Sequence, residues 1–173
     1  MEKGAGTPVI WGLRMGALLA CELAHGHPEF QKLLLWQPVL NGEQLIDQFL
    51  RLRTVPTSVS GGVTFDRKWL WDELRAGRPL DIAGYELSST LALEMARVRL
   101  NDLRPEGQVH WVEIGITPHA RIGAGSENVV AHWREQGVNV ETSYVHGDPF
   151  WRTVDAEVNF DLLNRTQDAL SQP

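Results

Sequence analysis

Five residues in this chain are spaced for chemistry at a strand-to-helix turn: Gly12-Leu13-Arg14-Met15-Gly16, inside the stretch PVIWGLRMGALLACELA (8–24). The spacing is that of the nucleophile elbow, G-x-S-x-G, a sharp turn that lifts a serine above a parallel sheet. Acyl transfer there needs a nucleophile, a base, a group to orient the base, and two donors for the oxyanion. Arg14 stands in the serine's place, and a guanidinium stays protonated and cannot attack a carbonyl. The middle residue of such an elbow has positive φ, which costs a non-glycine residue about 1–3 kcal/mol. An arginine kept there implies either a relaxed turn or a use for its charge. Arg14 can cap the cleft and pair with a carboxylate. It can instead bind an anion beside the free N–H groups of a helix N-terminus, with the Met15 N–H as the remaining oxyanion donor. A carboxylate, phosphate or acidic sugar would then be held without being cleaved.

The other parts of an acyl-transfer set are weaker. His146 follows the last strand, where a catalytic histidine is expected; it reads either as a loop histidine before Gly147-Asp148-Pro149 or as a base able to activate a water. For the acid, the loop after the 109–116 strand offers Thr117, Pro118, His119 and Arg121, with no carboxylate before Glu127. Glu113 inside that strand is one candidate, and Asn41 and Glu43 after the second strand are others. Ser58, Ser60, Ser88 and Ser89 lack a glycine elbow. His25 and His27 form a two-histidine loop without a carboxylate partner, and His110, His119 and His132 share no ligand spacing, so no metal site is expected. The glycine pattern fits neither a phosphate loop nor a dinucleotide fingerprint, and no cofactor is expected.

The elements that must position these residues alternate strand and helix. Val9 to Trp11 reads as a brief strand and Leu13 to Ala24 as a helix, stopped by Gly26 and Pro28. Lys32-Leu33-Leu34-Leu35-Trp36 is a continuous apolar run, as a strand buried on both faces requires. Glu43 to Arg53 is amphipathic, residues 55–62 (VPTSVSGG) are a loop, and Asp66 begins a helix that stops at Gly77 and Pro79. Ser88 or Ser89 caps a helix through Leu100. Residues 43–104 thus read as a helical insertion, a lid over the sheet. Val109 to Ile116 and Val138 to Val145 are strands, Ser126 to Gln136 is a helix ended by Gly137, and residues 155–170 close the chain as a helix. This order predicts a single α/β domain over 1–173, a parallel sheet of about four strands with right-handed crossovers.

Composition excludes several functions. A net charge of −6 and a pI near 5.5 argue against a nucleic-acid or anionic-membrane surface, since either would need a basic face. The single cysteine, Cys21, rules out an internal disulfide and reads as a buried small hydrophobe. Seven tryptophans fit deep apolar packing or a hydrophobic cleft. Residues 1–4 lack a signal-peptide core and no run approaches a membrane span, so the expected location is a reducing cytoplasm.

With these residues in order, the chain resembles the exosortase A system-associated hydrolase, type 2, of the α/β-hydrolase superfamily. The resemblance is carried by WGLRMGALLA (11–20), WQPVLNG (36–42), QFLRLR (48–53), IAGYELS (82–88) and GDPFW (147–151). It implies a bacterial cytoplasmic protein of exopolysaccharide and protein-sorting physiology, with the arginine at the elbow shared by the family. A full hydrolase has eight strands with the elbow after the fifth, so this chain corresponds to the C-terminal half. The missing half would supply the neighbouring central strand and one oxyanion donor. The chain is then expected to be part of a longer protein, or to have a partner, a second copy included, over the bare edge of its first strand. Three functions follow: a degenerate hydrolase binding an acidic or acyl metabolite at Gly12, Leu13, Arg14, Met15 and Gly16; an active hydrolase using His146 and water, with Glu113; or a subunit docking through its sheet edge.

Overall fold

The computed structural model describes residues 8–54, 66–152 and 157–171. The loop at 55–62, with Ser58 and Ser60, residues 1–4, and the expected start of the last helix at 155 lie outside the described residues. In chain order the elements are β1 (Val9–Leu13), α1 (Met15–Ala24), β2 (Lys32–Trp36), α2 (Gly42–Thr54), α3 (Arg67–Arg75), β3 (Leu80–Ile82), β4 (Tyr85–Leu87) and α4 (Ser89–Arg97). There follow β5 (Gln108–Gly115), α5 (Ala124–Glu135), β6 (Val140–His146) and α6 (Phe160–Ser171), with short 3₁₀ turns at Leu100–Asp102 and Phe150–Arg152. They form two compact units, 1–40 with 100–173, and 41–99.

The first unit is built on a four-stranded sheet in the order β1-β2-β5-β6, every pairing parallel. Strand alternation sends Leu34, Trp36, Val112, Ile114 and Val145 to one face, where they meet Leu162 and Ala169 of α6. Gly12 and Trp111 point to the other face. There α1 closes over Gly12, and Trp133 of α5 meets Trp111 edge-on with ring centroids 5.8 Å apart. Helices on both faces explain why every residue of β2 is buried and why its sequence does not alternate. Cys21 is fully buried on α1, and burial pushes its thiol pKa up, so it serves packing and not reaction.

Two buried polar side chains, His110 and Lys32, sit under α6. His110 of β5 is 5% exposed; its Nδ1 lies 3.3 Å from a Glu141 oxygen on β6, and its Nε2 has no partner among the described residues. The Lys32 ammonium at the start of β2 donates to the Ala169 carbonyl at 3.3 Å. Burial is the largest influence on His110 and lowers its pKa below 6.5; Glu141 opposes that shift and Lys32 adds to it. The unfolded chain therefore binds a proton here, below pH 6.5, that the folded chain resists, and stability falls as pH falls through this window. Urea midpoints at about pH 7.5 and about pH 5.5 should show the loss, and His110→Gln should flatten it. An equal slope in that variant would assign the effect elsewhere.

In the second unit α2 and α3 are tied by Asp47, which accepts from Arg67 Nε at 2.8 Å and from the Trp71 indole at 2.8 Å. Two features depart from the expectation for this region. Residues 80–87 form an antiparallel hairpin, β3 on β4, turned at Ala83 (φ 52°) and Gly84 (φ 86°). The helix begun at Ser88 stops at Arg97 and not at Leu100, because Val98 turns extended and its carbonyl accepts the Gly42 N–H at 2.9 Å. Gly42 is needed at that crossing: a Cβ there would fall 1.8 Å from the Met95 carbonyl oxygen.

Candidate functional site

The elbow residues come together as a tight turn between β1 and α1. Arg14 has φ 55° and ψ −113°, so the turn is not relaxed and the arginine carries the backbone strain expected at the nucleophile's position. Its N–H extends the β1–β2 ladder by donating to the Trp36 carbonyl at 2.9 Å. Gly12 permits the turn: a Cβ there would lie 2.4 Å from the Gly16 carbonyl carbon and oxygen and 2.5 Å from the Ala17 nitrogen. A Cβ on Gly16 would meet nothing within 4 Å, so the second glycine is not held by space. Leu13 is half-buried against the α6-side core, and Met15 opens α1 with an N–H free of any intrahelical acceptor.

The guanidinium of Arg14 lies over the Trp151 ring, 5.7 Å from its centroid. Burial lowers its pKa most, and the like charge of Arg152 lowers it further. Aromatic rings continue from this contact: Trp151 to Phe150 at 5.2 Å, Phe150 to Trp36 at 6.1 Å, and Trp36 to Trp11 at 4.6 Å, all edge-on. The indole N–H groups of Trp36 and Trp151 are buried and find no acceptor among the described residues. The segment after β6 thus returns to the elbow, and it brings Trp151 and Arg152 to it. Sequence reasoning assigned neither a role. The cue was present in a tryptophan and an arginine on the segment that in this architecture revisits the turn.

His146 ends β6, at the opposite edge of the sheet from β1. Its Nε2 donates to the Ile116 carbonyl at 3.1 Å, and its own carbonyl accepts from Asn159 Nδ2 at 3.1 Å. Glu113 is buried on β5, where its oxygens accept from the Trp111 indole at 3.2 Å and from the Gly123 N–H, just ahead of α5, at 2.8 Å. Among the described residues no hydrogen bond or ion pair joins His146 to Glu113. The alternative acids also have structural work: Asn41 accepts the Glu43 N–H at 2.8 Å at the start of α2, and Glu43 faces Arg99 at 3.6 Å. His25 accepts the Arg104 N–H at 3.0 Å, His27 pairs with Glu29 at 3.0 Å, and His132 meets Gln136 at 3.0 Å. No group of three His, Cys, Asp or Glu residues able to hold a metal occurs among the described residues, and no described helix is long and apolar enough to cross a membrane.

No protein-family model and no curated protein matches the sequence. The fold does match a solved one. The chain is similar to the crystal structure of the alpha/beta hydrolase GrgF from Penicillium sp. sh18, with a TM-score of 0.50 at 15% identity. The match covers 94% of this chain and 62% of that one, so the chain spans less than two thirds of its neighbour's length. The fold is therefore α/β-hydrolase-like, a four-stranded parallel sheet flanked by helices.

Proposed function

We propose that this chain is an α/β-hydrolase-fold protein whose elbow holds an acidic or acyl small molecule and does not cleave it. The observation that carries this reading is a convergence of donors at the turn. The Met15 N–H and the indole N–H groups of Trp36 and Trp151 have no acceptor among the described residues, and Arg14 and Arg152 bring two positive charges to the same turn. A carboxylate, a phosphate or an acidic sugar supplies acceptors and negative charge at once. The resemblance of residues 11–20, 36–42 and 147–151 to exosortase A system-associated hydrolases supports a role in bacterial exopolysaccharide or protein-sorting physiology.

Isothermal titration with glucuronate, acetate and inorganic phosphate, on the natural chain and on Arg14→Gly, tests the reading. Glycine adopts φ 55° without strain, a gain of about 1–2 kcal/mol that offsets the lost ring contact of about 0.5–1 kcal/mol, so the variant should remain folded. The expected result is binding weakened at least about tenfold with an unchanged or higher urea midpoint. Equal affinity in both proteins would sink the proposal.

A second reading, docking through the open edge of β1, is favoured by the exposure of Trp11, at 55%, on a strand whose one described neighbour is β2. Sedimentation of the natural chain against Trp11→Lys separates it from the first, since a small-molecule site predicts no change in mass.

A further inference from the structure

The other edge of the sheet carries a second feature. In a parallel pairing the N–H and C=O of one residue point to the same side, and successive residues alternate. Val109 donates to the Asn139 carbonyl and Gly147 to the Gly115 carbonyl, so the odd-numbered residues 139–147 face β5. Val140, Thr142, Tyr144 and His146 then turn their backbone groups outward. The two ends of this row are closed by side chains: Arg134 of α5 donates to the Val140 carbonyl from Nη2 at 2.7 Å and from Nε at 3.2 Å, and Asn159 donates to the His146 carbonyl at 3.1 Å. Between these caps the outward N–H and C=O groups of Thr142 and Tyr144 have no partner among the described residues.

Thr142, Ser143 and Tyr144 line a cavity of about 470 Å³ with residues of α5 and of the segment leading into it. Ile122, Val130 and Ala131 form its apolar wall, and Arg121 and Arg134 outnumber Glu127, so its lining is net positive in a chain of net charge −6. Paired amide donors and acceptors at strand spacing recognise another extended backbone, and a groove between an edge strand and a helix also selects its side chains. We propose that this groove takes an extended peptide by strand addition to β6 at Thr142 and Tyr144. The peptide presents small apolar side chains to the α5 wall and one acidic side chain to the arginines. The capped row is short, and a full strand from a second copy would have to displace Arg134 from Val140; a short peptide segment need not.

The test uses acetylated pentapeptides with valine, isoleucine or threonine flanking a central aspartate, against lysine-centred counterparts. Each is titrated into ¹⁵N-labelled protein and followed by amide shifts and hydrogen exchange. In the free protein the Thr142 and Tyr144 amides should exchange readily while Ser143, bonded to β5, is protected; an aspartate peptide should protect all three. Thr142→Pro removes one outward N–H and leaves the β5 ladder intact, and should weaken binding about tenfold. Methylating the peptide nitrogens that face β6 should do the same with the protein untouched. No response from any aspartate peptide at about 1 mM, or equal binding by the N-methylated forms, overturns the proposal. So does a concentration-dependent dimer that Thr142→Pro abolishes, which would assign the edge to a second copy.

Discussion

Gly12→Ala should cost the sheet unit about 3 kcal/mol or more, the largest loss expected from any single methyl group at the elbow. The added carbon has no soft neighbour to push aside. It would meet the Gly16 carbonyl at 2.4 Å and the Ala17 nitrogen at 2.5 Å, both backbone atoms in the first turn of α1. Relief would require moving the helix off the sheet, and with it Leu18 and Cys21, both fully buried. Gly16→Ala is the matched control, since nothing lies within 4 Å of its added methyl and alanine is the better helix former by about 0.5–1 kcal/mol. Urea denaturation should give a midpoint lower by about 1 M or more for the first variant and unchanged or higher for the second. Equal effects would mean that the two glycines serve one purpose, contrary to the geometry.

Trp133→Ala should cost about 3–5 kcal/mol, as expected for emptying a fully buried indole site. The ring fills the space between α5 and Trp111, and its Nε1 donates to the Leu100 carbonyl at 3.0 Å. Trp133→Phe separates the two contributions. It keeps most of the packing and leaves the Leu100 carbonyl without its donor, a loss of about 1–3 kcal/mol. If the alanine variant loses no more than the phenylalanine variant in chemical denaturation, the hydrogen bond and not the ring is what matters.

Much of this fold was legible because burial on two faces leaves a plain mark. The Leu33-Leu34-Leu35 run reads as a strand buried on both faces, and it pairs with β1 on one side and β5 on the other. The elbow was legible from two glycines, although only one of them proved to be required by space. The 80–87 hairpin was hidden because three-residue strands show no period and Ala83-Gly84 is a weak turn signal beside Asn-Gly. The aromatic lining of the elbow was hidden for a different reason. Trp151 lies far from Arg14 in sequence, and only the return of the chain after β6 brings the two together. Glu113 looked like a candidate acid by type; its oxygens are taken by Trp111 and Gly123, and no property of one residue announces such a use.

The chain leaves the sheet unit after Leu40 and re-enters it at Leu100, and the Leu100 N–H donates to the Leu40 carbonyl at 3.0 Å. A second bridge joins Asn41 to Arg99. Departure and return are thus one doorway. The entropy of closing a loop rises only with the logarithm of its length, so a doorway already closed is nearly indifferent to how much chain hangs from it. Segments of other lengths can be grafted between these two residues without shifting the register of β2 on β5. Residues 41–99 therefore hang from one closed junction, and their length should be free to change while β2 keeps its pairing with β5.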